Sequence, residues 1–436
     1  MIRIEPRVLK GFRDVLPEQE LVRRRLTADL EKGFRSFGYV PIDTPILEYT
    51  EILLGKGGGE TDKQIFRFTD HGQRDVALRF DLTVPFARYM AAHQNELYLP
   101  FRRYHIGKAY RGENTQRGRF REFVQCDFDI VGTDTASADT DILLTVSRAF
   151  EILGVPDITV HVAHRGLFNR FLSRIEAAEH SEEVLRTVDK LRKVGVEQTE
   201  QSLAELLDPD RARLVMEYVT AGGTFEITLG RLEELAGGPG EDTARMRTVF
   251  EALSETGTAG TIRYDPSITR GLDYYTGIVF ETFLNDLPSI GSVCSGGRYN
   301  DLASLYTRQD LPGVGGSIGL DRLLAALDEL DATRSSESAA DVLVFCLDER
   351  LIGYYHKLAT VFRREGLSCE VYPEPRKISA QFSFAEKKGI PFAIICGADE
   401  RDSGVINAKN LVNRESFTAD TVQAAADTIR TMIRDS

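Results

Sequence analysis

Apolar residues recur at helical spacing between positions 20 and 38. Leu21, Leu26, Leu30, Phe34 and Phe37 share one face, and Gly38 closes the run. Tyr39-Val40-Pro41 starts an extended piece whose prolines, Pro41 and Pro45, suit a sheet edge or an interface. Val76, Leu78 and Phe80 alternate as a strand that passes into a helix near Pro85, a proline compatible with a first turn. Alternation returns at 119–129. Phe120, Glu122, Val124, Cys126 and Phe128 form a mostly apolar face, with Arg119, Arg121, Phe123, Gln125, Asp127 and Asp129 opposite. The stretch 135–153 is helical, with Asp139 and Asp141 near its start, where the helix dipole favours acids.

From about 167 to 256 short amphipathic helices are broken by Gly222-Gly223 and Gly237-Gly238-Pro239-Gly240, the pattern of a helical insertion. Strand-like sequence resumes between Ile262 and Val293. A helix follows at 319–330 with Leu320, Leu323, Leu324 and Leu327 inward. Beyond a polar stretch, apolar strands at 341–347, 367–372 and 391–396 alternate with helices at 349–365, 378–388 and 419–433. Strands alternating with helices predict a small, mostly parallel α/β domain. The expected organisation is a first domain over 1–330 interrupted by the insertion, a linker at 331–340, and a second domain over 341–436. A chain of 436 residues is too long for one simple core.

Net charge is −13, but unevenly spread. Residues 175–256 hold nine bases and eighteen acids, whereas 341–436 hold thirteen and fourteen, so overall acidity excludes no nucleic-acid partner. Five scattered cysteines without metal-ligand spacing imply a reducing compartment with neither structural disulfides nor a zinc site. The first residues lack a signal-type apolar region, and no apolar run is long enough to span a bilayer. A soluble, cytoplasmic protein without membrane contact is expected.

Against that acidity, Arg102, Arg103, Lys108, Arg111, Arg117, Arg119 and Arg121 crowd one strand–loop–strand with a single acid, Glu113. Guanidinium groups grip phosphate bidentately, so this hairpin predicts a polyanion held at one place. Gly55-Lys56-Gly57-Gly58-Gly59 lacks the order of a phosphate loop and reads instead as a loop that closes over a ligand. Gly313–Gly319 opens a helix without the dinucleotide spacing, and His161 with His164 has no second pair to complete a metal site. Arg270-Gly271-Leu272-Asp273-Tyr274-Tyr275-Thr276-Gly277 joins charge to two aromatic hydroxyls, which suits a small aromatic or heteroaromatic ligand. Cys294-Ser295-Gly296-Gly297-Arg298-Tyr299 allows close backbone approach, and Arg322 sits in the first turn of an apolar helix, where it can stack on a nucleobase.

The order of these segments resembles the class II aminoacyl-tRNA synthetases and, within them, the histidyl-tRNA synthetases. Lys10-Gly11-Phe12-Arg13-Asp14 comes first, and 37–45 is similar to the dimer-forming motif 1. Arg79-Phe80-Asp81-Leu82-Thr83-Val84-Pro85 looks like the amino-acid-binding strand of the family's eukaryote-like branch. Residues 101–132 are similar to motif 2 and 315–323 to motif 3. RGLDYYTG and CSGGRYNDL resemble the two histidine-specific signatures, which discriminate within the class. The resemblance implies an α/β protein whose α+β catalytic domain has an antiparallel sheet flanked by helices, with a helical insertion and a C-terminal α/β anticodon-binding domain. It implies L-histidine, ATP with Mg2+ and tRNA(His) as partners, and a homodimer.

Roles carried over by the resemblance are as follows. Arg111, Arg270 and Gln125 would be catalytic, with Arg111 and Arg270 on opposite sides of the α-phosphate and Gln125 orienting the carboxylate. Arg322, Glu113 and Arg119 would frame ATP. Asp81 and Thr83 would hold the α-ammonium, while Asp129, Tyr274 and Tyr275 would read the imidazole. Two positions depart from the pattern: Asp321 stands where Glu is usual, and Asn114 where bacterial-type enzymes place an Arg that reads the tRNA end. The acidic insertion is expected to contribute little to RNA contact. The rival reading is a catalytically inactive, histidine-sensing regulatory paralogue. Such proteins typically lack the anticodon domain and the Arg at 270, and here both stand.

Overall fold

The computed structural model describes residues 4–55, 64–155, 157–269, 274–330 and 338–434. The chain forms two compact units, 1–14 with 25–333 and 15–24 with 334–436. In the first unit the strands are β1 (Val40–Pro41), β2 (Leu47–Tyr49), β3 (Arg67–Thr69), β4 (Asp75–Leu78), β5 (Phe101–Tyr110) and β6 (Glu122–Val131). They continue with β7 (Ile158–His164), β8 (Ile262–Tyr264), β9 (Ile278–Leu284), β10 (Cys294–Tyr299) and β11 (Gly313–Gly319). Eight of them make one sheet in the order β1-β5-β6-β11-β10-β9-β7-β8. Its six central strands run antiparallel, and β1 and β8 pair parallel at the two edges. A small sheet, β2-β4-β3, lies apart from it.

The alternation at 119–129 sets the two faces of β6. Cys126 and Phe128 are fully buried, and Phe34 of the helix Pro17–Ser36 stacks on Phe128 at 5.1 Å. Gln125, Asp127 and Asp129 turn to the other face, which is therefore polar although Asp127 and Asp129 are buried. Neighbouring β11 is mostly glycine for a steric reason. A Cβ on Gly315 would fall 1.9 Å from the Asp129 Oδ1, and one on Gly313 would fall 2.4 Å from the Tyr299 ring. The glycine run is thus a strand floor that admits other side chains before the chain enters the helix Leu320–Glu329.

The insertion packs as short helices, ending with Glu241–Glu255, around its own aromatic core, in which Phe171 stacks on Tyr218 at 4.5 Å. In the second unit, β12 (Val342–Val344) pairs parallel with both β13 (Cys369–Val371) and β14 (Phe392–Ile394). An antiparallel pair, β15 (Ile406–Asn410) and β16 (Ser416–Ala419), extends it. The sequence pattern misses that pair, because Asn407, Lys409 and Asn410 are weak strand formers and none of them is fully buried. Buried Val342, Val344, Tyr355, Phe362, Ile394 and Ile429 form the core of this unit.

Candidate active site

Most of the positive charge of the hairpin β5–β6 is taken up by partners within the protein. Arg102 pairs with Asp141 at 2.5 Å, Lys108 with Glu122 at 2.8 Å and Arg117 with Glu329 at 2.6 Å. Arg121 donates to the carbonyls of Lys10 and Glu113. Arg103 is wholly buried, 2.6 Å from Asp129 and stacked over Phe86. The run of bases is therefore no undivided phosphate surface. Only Arg111 and Arg119 of the seven line the cavity below.

That cavity, of about 320 Å³, collects Asp81, Thr83, Arg111, Glu113, Arg119, Gln125, Asp129, Tyr274, Tyr275 and Arg322. Ten residues singled out in four separate segments of sequence thus meet in one place. Arg270, with Gly271–Asp273, lies outside the described residues, as do Lys56–Gly59 of the glycine loop.

One end of the cavity is a floor of buried carboxylates. Asp81, at the entry to the helix Thr83–His93, accepts from the Val84 N–H at 3.1 Å, and its second oxygen is buried without a partner. Burial pushes its carboxyl up to about 6. Asp129 accepts from the Tyr299 hydroxyl and pairs with Arg103. Burial raises its pKa against the opposing pull of Arg103 and Tyr299. Asp127, two residues before Asp129 on β6 and behind the cavity wall, is pushed up to about 7, also by burial, with an oxygen left unpartnered. Gln125 donates to the Ser317 hydroxyl at 2.9 Å and keeps a buried, unsatisfied carbonyl oxygen. Tyr274 meets Tyr275 edge-on at 5.0 Å and Tyr299 at 5.9 Å. Buried acceptors without donors beside aromatic walls define a pocket for a small cationic or N–H-rich group.

The other end is framed by cations. Arg111 anchors its Nε on the Phe80 carbonyl at 2.9 Å and lies over the Phe123 ring. Arg322 donates to the Ser292 carbonyl. Gly118, at a φ of +66°, lets the hairpin loop lie directly against Arg322; a Cβ there would approach the Arg322 Cα to 3.0 Å. Asp321 is fully engaged, accepting from the Val124 N–H at 2.7 Å and from Arg13. Arg13 also stacks on Phe120 at 3.8 Å, and the Gly11 carbonyl accepts from the Arg121 N–H at 2.8 Å. The Lys10–Asp14 arm therefore braces the hairpin against the helix of Arg322, and the shorter Asp321 reaches its partners without leaving a free carboxylate.

Sequence reasoning overlooks Arg103, Asp127, Tyr299 and Ser317. Arg103 was one base among many, and only the strand register reveals that it sits opposite Asp129. Two acids two residues apart on a strand, Asp127 and Asp129, were a signal available in the pattern. His164 is structural, its Nδ1 accepting from the Leu167 N–H, and His161 pairs with Asp265. Asp139 and Asp141 are explained by Arg298, Arg245 and Arg102 rather than by the helix dipole.

The family model described as histidyl-tRNA synthetase matches residues 11–323, and one described as anticodon binding domain matches 341–431. A histidine–tRNA ligase of Treponema denticola is 53% identical over 402 residues, spanning 91% of this chain and 90% of the relative. That of Treponema pallidum is 48% identical over 433 residues, spanning 98% and 97%. The crystal structure of a histidyl-tRNA synthetase from a Nostoc species superposes with a TM-score of 0.88 at 29% identity, covering 99% of this chain and all of that one. All three are bacterial, so the expected tie to a eukaryote-like branch gains no support from them. With a family model spanning the whole catalytic region and relatives near half identical from end to end, the chain belongs to the histidyl-tRNA synthetase family.

Proposed function

We propose that the chain is a histidine–tRNA ligase: it activates L-histidine with ATP, releasing pyrophosphate, and passes the histidyl group to the 3′ end of its tRNA. The carrying observation is the division of one cavity into an acidic, aromatic end and a cationic end. The histidine α-ammonium sits on Asp81 and Thr83. Its imidazole faces Asp129, Tyr274 and Tyr275, and its carboxylate is turned by Gln125 toward the α-phosphorus. Attack of that carboxylate forms the acyl–phosphate bond and breaks the bond to pyrophosphate, so charge grows on phosphate oxygens. Arg111 meets that charge from one side, and Arg270, assigned by resemblance, from the other. Arg322 stacks on adenine, with Glu113 and Arg119 at the phosphates.

Among the described residues no three His, Cys, Asp or Glu side chains converge on a metal position. Asp321 is taken up by Arg13 and Val124. The cavity therefore fits magnesium carried on the phosphates of ATP, with Glu113 and Glu281 as the wall carboxylates that would hold it. Its chemistry there is neutralisation of phosphate charge. The regulatory-paralogue reading is disfavoured, since Arg111 and Arg322 face the cavity and an anticodon-binding domain follows.

Against the expectation drawn from its overall acidity, the proposed contact with tRNA extends to the insertion. Four of the nine bases in 175–256, Arg186, Lys190, Arg192 and Lys193, fall within eight residues, and two of them line a second cavity that shares Glu281 and Ser292 with the first. This basic cluster offsets the segment's acidity where an RNA end would enter. A homodimer is supported by the apolar surface at β2 and β3, where Ile46, Leu47, Tyr49 and Phe68 are 41–48% exposed. No helix among the described residues is long and apolar enough to cross a membrane, which accords with a cytoplasmic enzyme. The test is charging of unfractionated tRNA with each labelled amino acid. Histidine alone should become tRNA-linked; charging with another amino acid, or with none, overturns the proposal.

A further inference from the structure

The two ends of the cavity are braced by different, sequence-distant segments. The Lys10–Asp14 arm braces the nucleotide end. The histidine end is tied to the insertion through a buried ionic bridge that the catalytic roles do not use. Arg298 precedes Tyr299 on β10, so its side chain leaves the opposite face of the sheet. There it is 2% exposed and holds Asp139, itself 1% exposed, through Nε at 2.9 Å and Nη2 at 2.8 Å. It also donates to the Thr133 carbonyl and lies 3.3 Å from Asp134. Arg245, from the insertion helix Glu241–Glu255, takes the other Asp139 oxygen at 2.6 Å and Asp134 at 2.6 Å. Asn300, on the far side of Tyr299, donates to Asp134 at 2.9 Å.

Both neighbours of Tyr299 are thereby clamped to one acid pair that Arg245 completes. Tyr299 itself points the other way and donates to Asp129. The Arg298 carbonyl accepts from the Thr276 N–H at 2.7 Å, which fixes the exit of the Tyr274–Tyr275 segment, and Gly277 packs on the Arg298 side chain. Arg298 is thus the joint of both histidine-facing segments, whereas nothing in the bridge touches Arg111, Glu113, Arg119 or Arg322. Without Arg245, Asp139 retains a buried oxygen that lacks its cation, and the strand end carrying Tyr299 loses its outer tie.

We propose that Arg245 is a positioning residue through which the insertion sets the histidine pocket: the Arg245–Asp139–Arg298 bridge holds Tyr299 against Asp129. The inference rests on the histidine-activation reading. The experiment is histidine-dependent ATP–pyrophosphate exchange without tRNA, with histidine binding measured by calorimetry, for wild type, Arg245→Gln, Arg245→Lys and Arg247→Gln. Arg247 pairs with Glu233 and Glu226 inside the insertion and controls for loss of a surface charge on the same helix. Arg245→Gln should raise the histidine KM and Kd roughly fivefold to tenfold, with the ATP KM and kcat within about twofold of wild type. Arg245→Lys should recover part of that loss, and Arg247→Gln should change nothing. An unchanged histidine KM in Arg245→Gln overturns the inference. So does a parallel loss in kcat and both KM values that follows the folded fraction, or a Gln variant that does not fold while the Lys variant folds and binds histidine as wild type. Wild-type protein that neither binds histidine nor exchanges with it refutes the activation reading itself.

Discussion

Asp129 shows how much one side chain does in this cavity. It accepts from the Tyr299 hydroxyl on one oxygen and is ion-paired with Arg103 through the other, and it lies so close to β11 that residue 315 must lack a side chain. Gly315→Ala should therefore abolish histidine binding, through the 1.9 Å clash, before it affects ATP binding; calorimetry with each ligand separates the two. Arg111→Ala should lower kcat of exchange by about 10²- to 10³-fold while the ATP KM changes less, the mark of a group that acts on transition-state charge. The buried acids also predict a pH dependence. Asp127 has its carboxyl pushed up to about 7 by burial, well above the ordinary carboxylate value, so its ionised form opposes folding above that pH. The opposition is relieved as pH falls through about 7 toward 4. The ligand-free wild type should thus gain thermal stability from pH 8 to pH 6 relative to Asp127→Asn, and differential scanning calorimetry that finds no such difference removes the assignment.

At the scale of elements, the strand pattern of β6 and the helices at 136–152 and 320–329 are legible because in each an apolar face recurs at the element's own period. The candidate residues are legible as segments, because Asp81, Arg111 and Arg322 sit beside a strand end or a helix start, and Gln125 lies on the polar face of an alternating strand. What the pattern hides is pairing across strands. Arg103 reads as part of a phosphate grip until the β5–β6 register sets it opposite Asp129. Arg298 reads only as part of a glycine-rich signature until its face of β10 proves to be the one turned toward Asp139. The Lys10–Asp14 arm is hidden for the same reason, since Arg13 and Asp321 meet only in the folded chain. Arg13→Ala should free Asp321 and loosen the hairpin against the helix of Arg322. The expected outcome is a raised ATP KM with the histidine Kd unchanged, the converse of the Arg245→Gln pattern.

For the whole molecule, charge is the property that misleads most. The net −13 conceals a cavity whose nucleotide end is basic and an insertion whose bases gather at residues 186–193. If that cluster meets the RNA, Lys190, Arg192 and Lys193 changed together to Gln should raise the tRNA KM several-fold and leave exchange without tRNA intact. Histidine activation is the claim on which the remainder depends, and amino-acid-dependent ATP–pyrophosphate exchange measures it directly. Purified wild-type protein should exchange label with histidine, exchange little or none with any other amino acid, and lose nearly all of it in Arg111→Ala. Absence of histidine-dependent exchange, equal exchange with other amino acids, or full exchange without Arg111 would contradict the account.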